Sequence, residues 1–215
     1  MHWHRALAAL RAEPGYVVVD ASRGWRQWNI SGLKDPSARE PRAVIAGAGL
    51  IPPTLSGRWQ QYLSLDPQIV AARAKQWSGL DSLRRSIEGD RILFAPGSAD
   101  VSGAADARLR EVAALINQLD RGVAELGGAI RVQLTGRTDP SGADETNQTL
   151  ARRRVDRVSN ILSASGVPAT RLLLDAIATA KPLTSPDAEE RARINRSVSF
   201  NVAVSATPLP PGGDR

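Results

Sequence analysis

The feature that most constrains this chain is a strand–turn–helix pattern in residues 130–155. Apolar and polar residues alternate over residues 130–135, which is the period of a strand with one buried face. Residues 135–142 are rich in glycine, proline and hydroxyl groups and carry Asp139 at their centre, a composition typical of a turn. We therefore predict a half-buried strand that ends in an acidic turn.

A helix is predicted after this turn, and it carries a polar stripe. Asn147, Leu150 and Arg154 follow the helical period and fall on one side of its surface. The turn thus offers a carboxylate and the helix a guanidinium to the same space, a common way to build a site on a rigid scaffold. An alternative stays open, in which Asp139 makes local turn contacts and pairs with Arg154 in a structural salt bridge.

Composition excludes several kinds of site. The 215 residues include no cysteine, which excludes disulfides, cysteine-bound metals and thiol nucleophiles. The two histidines, His2 and His4, lie at the N-terminus, where a catalytic constellation is not expected. No glycine-rich phosphate loop is present. We therefore predict that the protein is not an enzyme and needs neither a metal nor an organic cofactor.

The formal net charge of +6 makes acidic partners plausible. Of the 28 basic residues, all but Lys34, Lys75 and Lys181 are arginines, and they are scattered along the chain rather than concentrated in one block. Such a distribution is more typical of codon usage than of a nucleic-acid-binding patch. Nucleic acid is therefore not the expected ligand, but a basic partner- or nucleic-acid-binding domain remains the alternative function.

Residues 1–82 are predicted to form a small α+β module with a helix, a hairpin and two further helices, in residues 3–10, 16–30, 38–48 and 66–77. Residues 86–92 suggest a second hairpin and, with it, a diverged internal repeat. All five tryptophans fall in the N-terminal half, which predicts a separate core there. The functional alternative for these tryptophans is a sugar- or lipid-stacking face.

After residue 83, strands alternate with helices in the order β-α-β-α-β-α-β. A continuous apolar stripe predicts a long helix over residues 104–126. Residues 172–177 are predicted to form a strand buried on both faces, and residues 197–205 a strand with one buried face. Residues 206–215 are rich in proline and glycine and are predicted to be a disordered tail.

Residues 83–205 also carry a family resemblance. The motifs T-G-R-T-D-x-x-G and N-x-x-L-x-x-R-R, followed by N-R-S-V, resemble the signatures of the OmpA-like peptidoglycan-binding domain. The resemblance implies an α+β fold with helices on one face of a mixed sheet. It also implies non-covalent binding to peptidoglycan, which anchors an envelope protein to the cell wall. Residues 1–82 resemble BON-type modules, which occur beside such domains.

The resemblance implies a site for the diaminopimelate of the peptidoglycan stem peptide. Asp139 is expected to bind the ammonium of the diaminopimelate side chain, and Arg154 its carboxylate, because this pair reads both charges and their spacing. The whole expected ligand-binding set is Asp139, Arg154, Asn147, Thr138 and Arg196. Three positions depart from the family pattern. Arg137 replaces a histidine, Ser197 an arginine and Val155 an alanine, and the first two are expected to redistribute charge near the ligand.

The resemblance further implies a periplasmic or cell-envelope location. No apolar run reaches the roughly 18–20 residues that span a bilayer, and the N-terminus lacks a signal-peptide pattern. We therefore expect the soluble part of an anchored protein, in contact with a membrane only through parts outside this chain. A homodimer stays open. A hydrolase of the same polymer is a further rival, although no paired acid and base support it.

Overall fold

The computed structural model describes residues 2–52, 54–141 and 143–205, so the predicted disordered tail lies outside the described residues. The chain divides into two compact units. The first unit comprises residues 1–79 with 125–127, and the second comprises residues 80–124 with the chain from residue 128 onward.

One sheet and three helices, the last of which continues into the second unit, make up the first unit. Its elements are α1 His2–Ala12, β1 Tyr16–Arg23, β2 Gln27–Lys34, α2 Pro41–Gly47, β3 Thr54–Ser56, β4 Trp59–Gln61 and the start of α3 Pro67–Gly89. Strands β1 and β2 form the predicted antiparallel hairpin, whereas β3 and β4 both pair parallel with β2. Proline opens α2, where its missing amide proton costs no helical hydrogen bond.

Some of the tryptophans form the core of this unit. Trp3 and Trp28 are buried and meet edge to face, with ring centroids 5.3 Å apart. Trp59 packs edge-on against Tyr16. Trp25, in contrast, is 96% exposed in the turn between β1 and β2. The prediction of a tryptophan core therefore holds for part of the set.

A buried carboxylate joins the segments around β2 and α3. Asp35 is fully buried, and its side chain accepts hydrogen bonds from the backbone amides of Ser37 at 2.8 Å and Ser64 at 2.7 Å. It also accepts one from the guanidinium of Arg73 in α3. Charge-assisted bonds in a site without solvent contact are among the stronger polar interactions in a fold.

Helix α3 is longer than predicted. The predicted hairpin over residues 86–92 is wrong, because residues 86–89 belong to this helix, and the proposed internal repeat loses its support. Ile87 is fully buried on the helix, which explains why its apolar side chain is needed there. Arg84 forms ion pairs with carboxylates three residues before it and four residues after it, and this spacing supports a helix.

The second unit has the predicted order of strands and helices. Its elements are β5 Arg91–Leu93, α4 Gly103–Glu125, β6 Ala129–Arg137, α5 Asp144–Ala164, β7 Leu172–Ala178, α6 Ala188–Asn195 and β8 Ser197–Ser205, after the last turns of α3. The strands form a sheet in the order β5-β8-β6-β7. Strand β6 is parallel to β7 and antiparallel to β8, which confirms the predicted mixed sheet.

The alternation that predicted β6 sets its position in the sheet. Ile130, Val132 and Leu134 are fully buried, and the residues between them are only half-buried. Gly136 continues the buried side, where an added Cβ atom would lie 2.4 Å from Val155 in α5. Helix α5 therefore packs directly on this face of the strand, and only glycine fits at the closest approach.

The prediction that residues 172–177 are buried on both faces is wrong. Strand β7 lies at the edge of the sheet, and Leu173 and Leu174 are 42% and 40% exposed. A run of leucines is typical of a central strand, but an edge strand has a neighbour on one side only. The leucine run therefore misled the prediction of burial, although not that of a strand.

None of the helices within the described ranges is long and apolar enough to cross a membrane. In the same residues, no cluster of acidic, histidine or cysteine side chains is suited to hold a metal ion.

Candidate functional site

The turn after β6 holds its carboxylate by local hydrogen bonds. Asp139 Oδ1 accepts from the backbone amide of Ser141 at 3.3 Å and also from the Ser141 hydroxyl group. The amide of Thr138 donates to the carbonyl of Ala178 in β7 at 3.3 Å, which fixes the start of the turn. One carboxylate oxygen of Asp139 is therefore engaged within the turn, and the other faces a partner outside it.

Arg196 is that partner. Its Nη1 lies 3.1 Å from Asp139 Oδ2, and both side chains are largely buried. Arg196 directly precedes β8, and its carbonyl accepts from the amide of Phe94 at 2.8 Å, so its backbone is held in place. Burial raises the pKa of Asp139, but hydrogen bonds from Ser141 and Arg196 outweigh this effect and keep the pKa below its ordinary value.

Arg154 is fully buried and is held by backbone carbonyl groups. Its Nε donates to Ser98 at 2.8 Å, Nη1 to Arg137 at 3.0 Å and Nη2 to Ala95 at 3.2 Å. Its guanidinium carbon lies 5.1 Å from the centroid of the Phe94 ring, a cation–π distance. Burial lowers the pKa of Arg154 to about 10, which still leaves the side chain charged at neutral pH.

These contacts bear on the structural salt bridge that was considered for Asp139 and Arg154. In the described part of the chain Asp139 pairs with Arg196, and the structural salt bridge between Asp139 and Arg154 is not formed. A guanidinium has five N–H donors, of which the three carbonyls occupy three. Arg154 therefore keeps its charge and spare donors for an anionic group.

A pocket of about 100 Å³ lies between the turn and α5, lined among others by Gly97, Thr138, Asp139, Asn147, Leu150 and Arg154. Thr138 and Asn147 are 2% and 3% exposed. Thr138 Oγ1 and Asn147 Nδ2 have no hydrogen-bond partner among the residues that the structure describes. A buried polar group without a partner costs about 1–3 kcal/mol. Both atoms are thus suited to bond a polar group that enters the pocket.

The structure brings the predicted site residues together. Asp139, Arg154, Asn147 and Thr138 line the pocket, and Arg196 reaches it through its contact with Asp139. Sequence reasoning did not find Gly97, Ser141 and Thr146, which also line it. The helical spacing from Leu150 was a signal for Thr146. Gly97 had no such signal, because it comes from a loop distant in sequence.

Two departures from the family pattern, Arg137 and Ser197, do not line this pocket, and the expected charge redistribution near the ligand stays a prediction. Arg137 follows Gly136, which faces α5, and its side chain therefore points to the opposite face of the sheet. There it donates to the hydroxyl group of Ser199 at 2.8 Å. The Ser197 hydroxyl is fully buried and donates to the carbonyl of Ile194 at 2.6 Å. Where the family pattern has an arginine, this chain therefore has a hydroxyl group that already donates a hydrogen bond within the chain.

Comparison with known proteins finds matches within the second unit. The family model of the OmpA family matches residues 93–196. A 78-residue segment is 33% identical to outer membrane porin F of Pseudomonas fluorescens, covering 36% of this chain and 24% of the porin. The chain therefore spans about a quarter of the length of that relative.

Two solved structures are similar at lower identity. The peptidoglycan-associated lipoprotein of Burkholderia pseudomallei is 21% identical, with a TM-score of 0.46 over 53% of this chain and 89% of that one. The C-terminal domain of Helicobacter pylori MotB is 20% identical, with a TM-score of 0.47 over 53% of this chain and 84% of that one. The predicted OmpA-like domain is confirmed by the family match, whereas the BON-like module stays a prediction.

Proposed function

We propose that the OmpA-like domain of this chain, matched over residues 93–196, binds peptidoglycan without a covalent bond and anchors an envelope protein to the cell wall. Its ligand is the diaminopimelate of the stem peptide. The single observation that carries the proposal is the small pocket with one anion, one cation and two buried polar atoms that lack partners among the described residues. The partial match to an outer membrane porin supports the envelope location.

The charges of the pocket suit a zwitterionic group. Asp139 and Arg196 neutralise each other, so the charge of Arg154 leaves the site with a net positive charge. The carboxylate of the ligand accepts from the spare N–H donors of Arg154, and its ammonium donates to Asp139. Thr138 and Asn147 complete the hydrogen bonds. A ligand that carries both charges side by side satisfies every one of these groups, whereas a simple anion or cation satisfies only some.

Arg196 orients the site rather than binding the ligand. Its ion pair holds Oδ2 of Asp139, while the turn holds Oδ1. The ammonium therefore approaches a carboxylate whose position is already fixed at both oxygens. Pre-organisation of this kind lowers the entropy lost on binding. Non-covalent recognition by these groups requires no general acid or base, which agrees with a binding role and not with a hydrolase.

The test is co-sedimentation of the 215-residue chain with purified peptidoglycan that contains diaminopimelate. Asp139→Asn removes the charge but keeps the oxygen that accepts from Ser141. Asp106→Asn is the matched control, because it removes a carboxylate paired with an arginine at 2.7 Å on α4, outside the pocket. We expect Asp139→Asn to weaken binding by roughly 10- to 100-fold, the loss of one charge-assisted bond of about 1.5–3 kcal/mol, and Asp106→Asn to bind like the parent.

Competition with small molecules makes the test specific. Free diaminopimelate should release the bound protein. A lysine whose α-amino and α-carboxyl groups are both blocked keeps an ammonium but has no carboxylate, and it should release the protein poorly. The alternative function, a basic polyanion-binding domain, predicts that the sedimented fraction falls steeply as salt is added. It also predicts that neither Asp139→Asn nor free diaminopimelate changes that fraction. That pattern would refute the proposal.

We also propose, separately, that residues 1–82 form a BON-like module. The observed order of α1, the β1–β2 hairpin, α2 and a strand parallel to β2 supports this assignment.

A further inference from the structure

A second, wider groove adjoins the pocket on the surface of α5. Its volume is about 400 Å³, and it is lined by Gly97, Glu145, Thr146, Thr149, Leu150 and Arg153. Gly97, Thr146 and Leu150 also line the small pocket, so the two cavities share one rim.

The helix surface makes the two cavities continuous. At 3.6 residues per turn, Glu145, Thr149 and Arg153 lie on one stripe of α5, and Thr146 and Leu150 lie beside them. Arg154 follows on the far side of Leu150. A ligand that leaves the small pocket over Leu150 therefore enters the groove next to Arg153. The small pocket, at about 100 Å³, has room for a charged end group only, and the adjoining groove offers space for the rest of a larger ligand across this rim.

The charged side chains that line the groove have no partner among the described residues. Arg153 and Glu145 are both exposed, and no described residue forms an ion pair or hydrogen bond with either. Other helical arginines of this unit differ. Arg110 in α4 and Arg193 in α6 each pair with a carboxylate on their own helix. Arg153 has one carboxylate at such a spacing, that of Asp156 three residues later, but among the described residues no ion pair joins the two.

We infer that this groove is a second subsite, in which Arg153 binds a carboxylate on the residue next to the diaminopimelate. The inference rests on the proposed function of the small pocket. Glu145 lies eight residues from Arg153, about 12 Å along the helix, and repels an anion from the other end of the groove. The two charges thus set the direction in which an acidic peptide lies. The pocket and the groove together therefore recognise an acidic residue followed by diaminopimelate, and not diaminopimelate alone.

The test is calorimetric titration of the full chain with three ligands of defined chemistry. These are free diaminopimelate, a glutamyl-diaminopimelate dipeptide with a free α-carboxylate, and the same dipeptide with that carboxylate converted to an amide. Arg153→Gln removes the proposed contact. Arg152→Gln removes an equally exposed arginine from the adjacent position of α5, outside both cavities.

We expect the acidic dipeptide to bind about two- to fivefold more tightly than its amide, the range reached by exposed ion pairs. Arg153→Gln should abolish this difference and Arg152→Gln should preserve it. Added salt should reduce the difference, because exposed charges are screened. Equal binding of both dipeptides to the parent chain would overturn the inference and leave the proposed function intact. If the parent binds none of the three ligands, the proposed function fails, and the second subsite fails with it.

Discussion

Arg154 allows a prediction about stability that is separate from binding. Arg154→Ala deletes three hydrogen bonds from the charged guanidinium to backbone carbonyls, at 2.8, 3.0 and 3.2 Å. At about 1.5–3 kcal/mol for each hydrogen bond to a charged group, the loss is roughly 5–9 kcal/mol. The fall in the Arg154 pKa to about 10 shows that burial of the charge has an opposing cost of roughly 3 kcal/mol, which the variant regains. We therefore expect a net destabilisation of about 3 kcal/mol.

The assay uses the uneven distribution of tryptophan. All five tryptophans precede residue 80, so their fluorescence reports on the first unit, whereas far-ultraviolet circular dichroism reports on both. In urea, a loss of 3 kcal/mol with a slope of about 1.5 kcal/mol per molar shifts the midpoint by about 2 M. We expect this shift in the dichroism of the second unit, with the fluorescence transition unchanged.

Arg152→Ala is the control, because it truncates an exposed arginine on the same helix and should change stability by less than about 0.5 kcal/mol. If Arg154→Ala unfolds within about 1 kcal/mol of the parent, the carbonyl contacts do not hold the loop at residues 95–98, and the reasoning is refuted. The expected result also means that loss of peptidoglycan binding in Arg154→Ala alone says little about ligand contact.

Three further predictions concern stability. The pKa of Asp139 is depressed in the fold, so its charge contributes stability that is present above about pH 4 and is lost as the pH falls through the lowered value. When the free energy of unfolding is measured as the pH is lowered, Asp139→Asn should not show this loss. A fall in stability equal to that of the parent would contradict the prediction. Gly136→Ala places Cβ 2.4 Å from Val155 and should cost about 1–3 kcal/mol in thermal melts, whereas Gly79→Ala, with open space around it in α3, should stabilise by about 0.5–1 kcal/mol. Equal effects would refute the packing argument. Asp35→Ala removes the carboxylate that pairs with the largely buried guanidinium of Arg73 and accepts from two amides, and it should cost about 3 kcal/mol in the fluorescence transition. An unshifted midpoint would show that the network is dispensable.

Local patterns of one element predicted much of the second unit. The alternation over residues 130–135 gave the strand and its buried face, since side-chain direction in a strand depends only on position. The helical spacing of Asn147, Leu150 and Arg154 correctly placed all three beside one pocket. These features follow from the geometry of a single strand or helix, so no knowledge of distant residues was required.

Features that depend on distant residues were not predictable in the same way. The three carbonyl partners of Arg154 come from residues 95, 98 and 137, and nothing near Arg154 in sequence indicates them. The exposure of Leu173 depends on the place of β7 at the sheet edge, which its own leucine run does not reveal. The end of α3 depends on burial of Ile87, whereas the local polar residues favoured a turn.

The place of β8 in the sheet has a consequence for the order of assembly. This strand is late in the chain, yet it lies between β5 and β6 in the sheet. Until it is in place, β5 has no neighbouring strand and β6 is paired on one side only, with β7. Arg196, which fixes Asp139, is the residue just before it. During synthesis, which proceeds from the N-terminus, the sheet and the site are therefore completed in the same late step. A chain interrupted before residue 196 would expose two strand edges and a loosely held Asp139, so partial products should be poor binders and prone to aggregation.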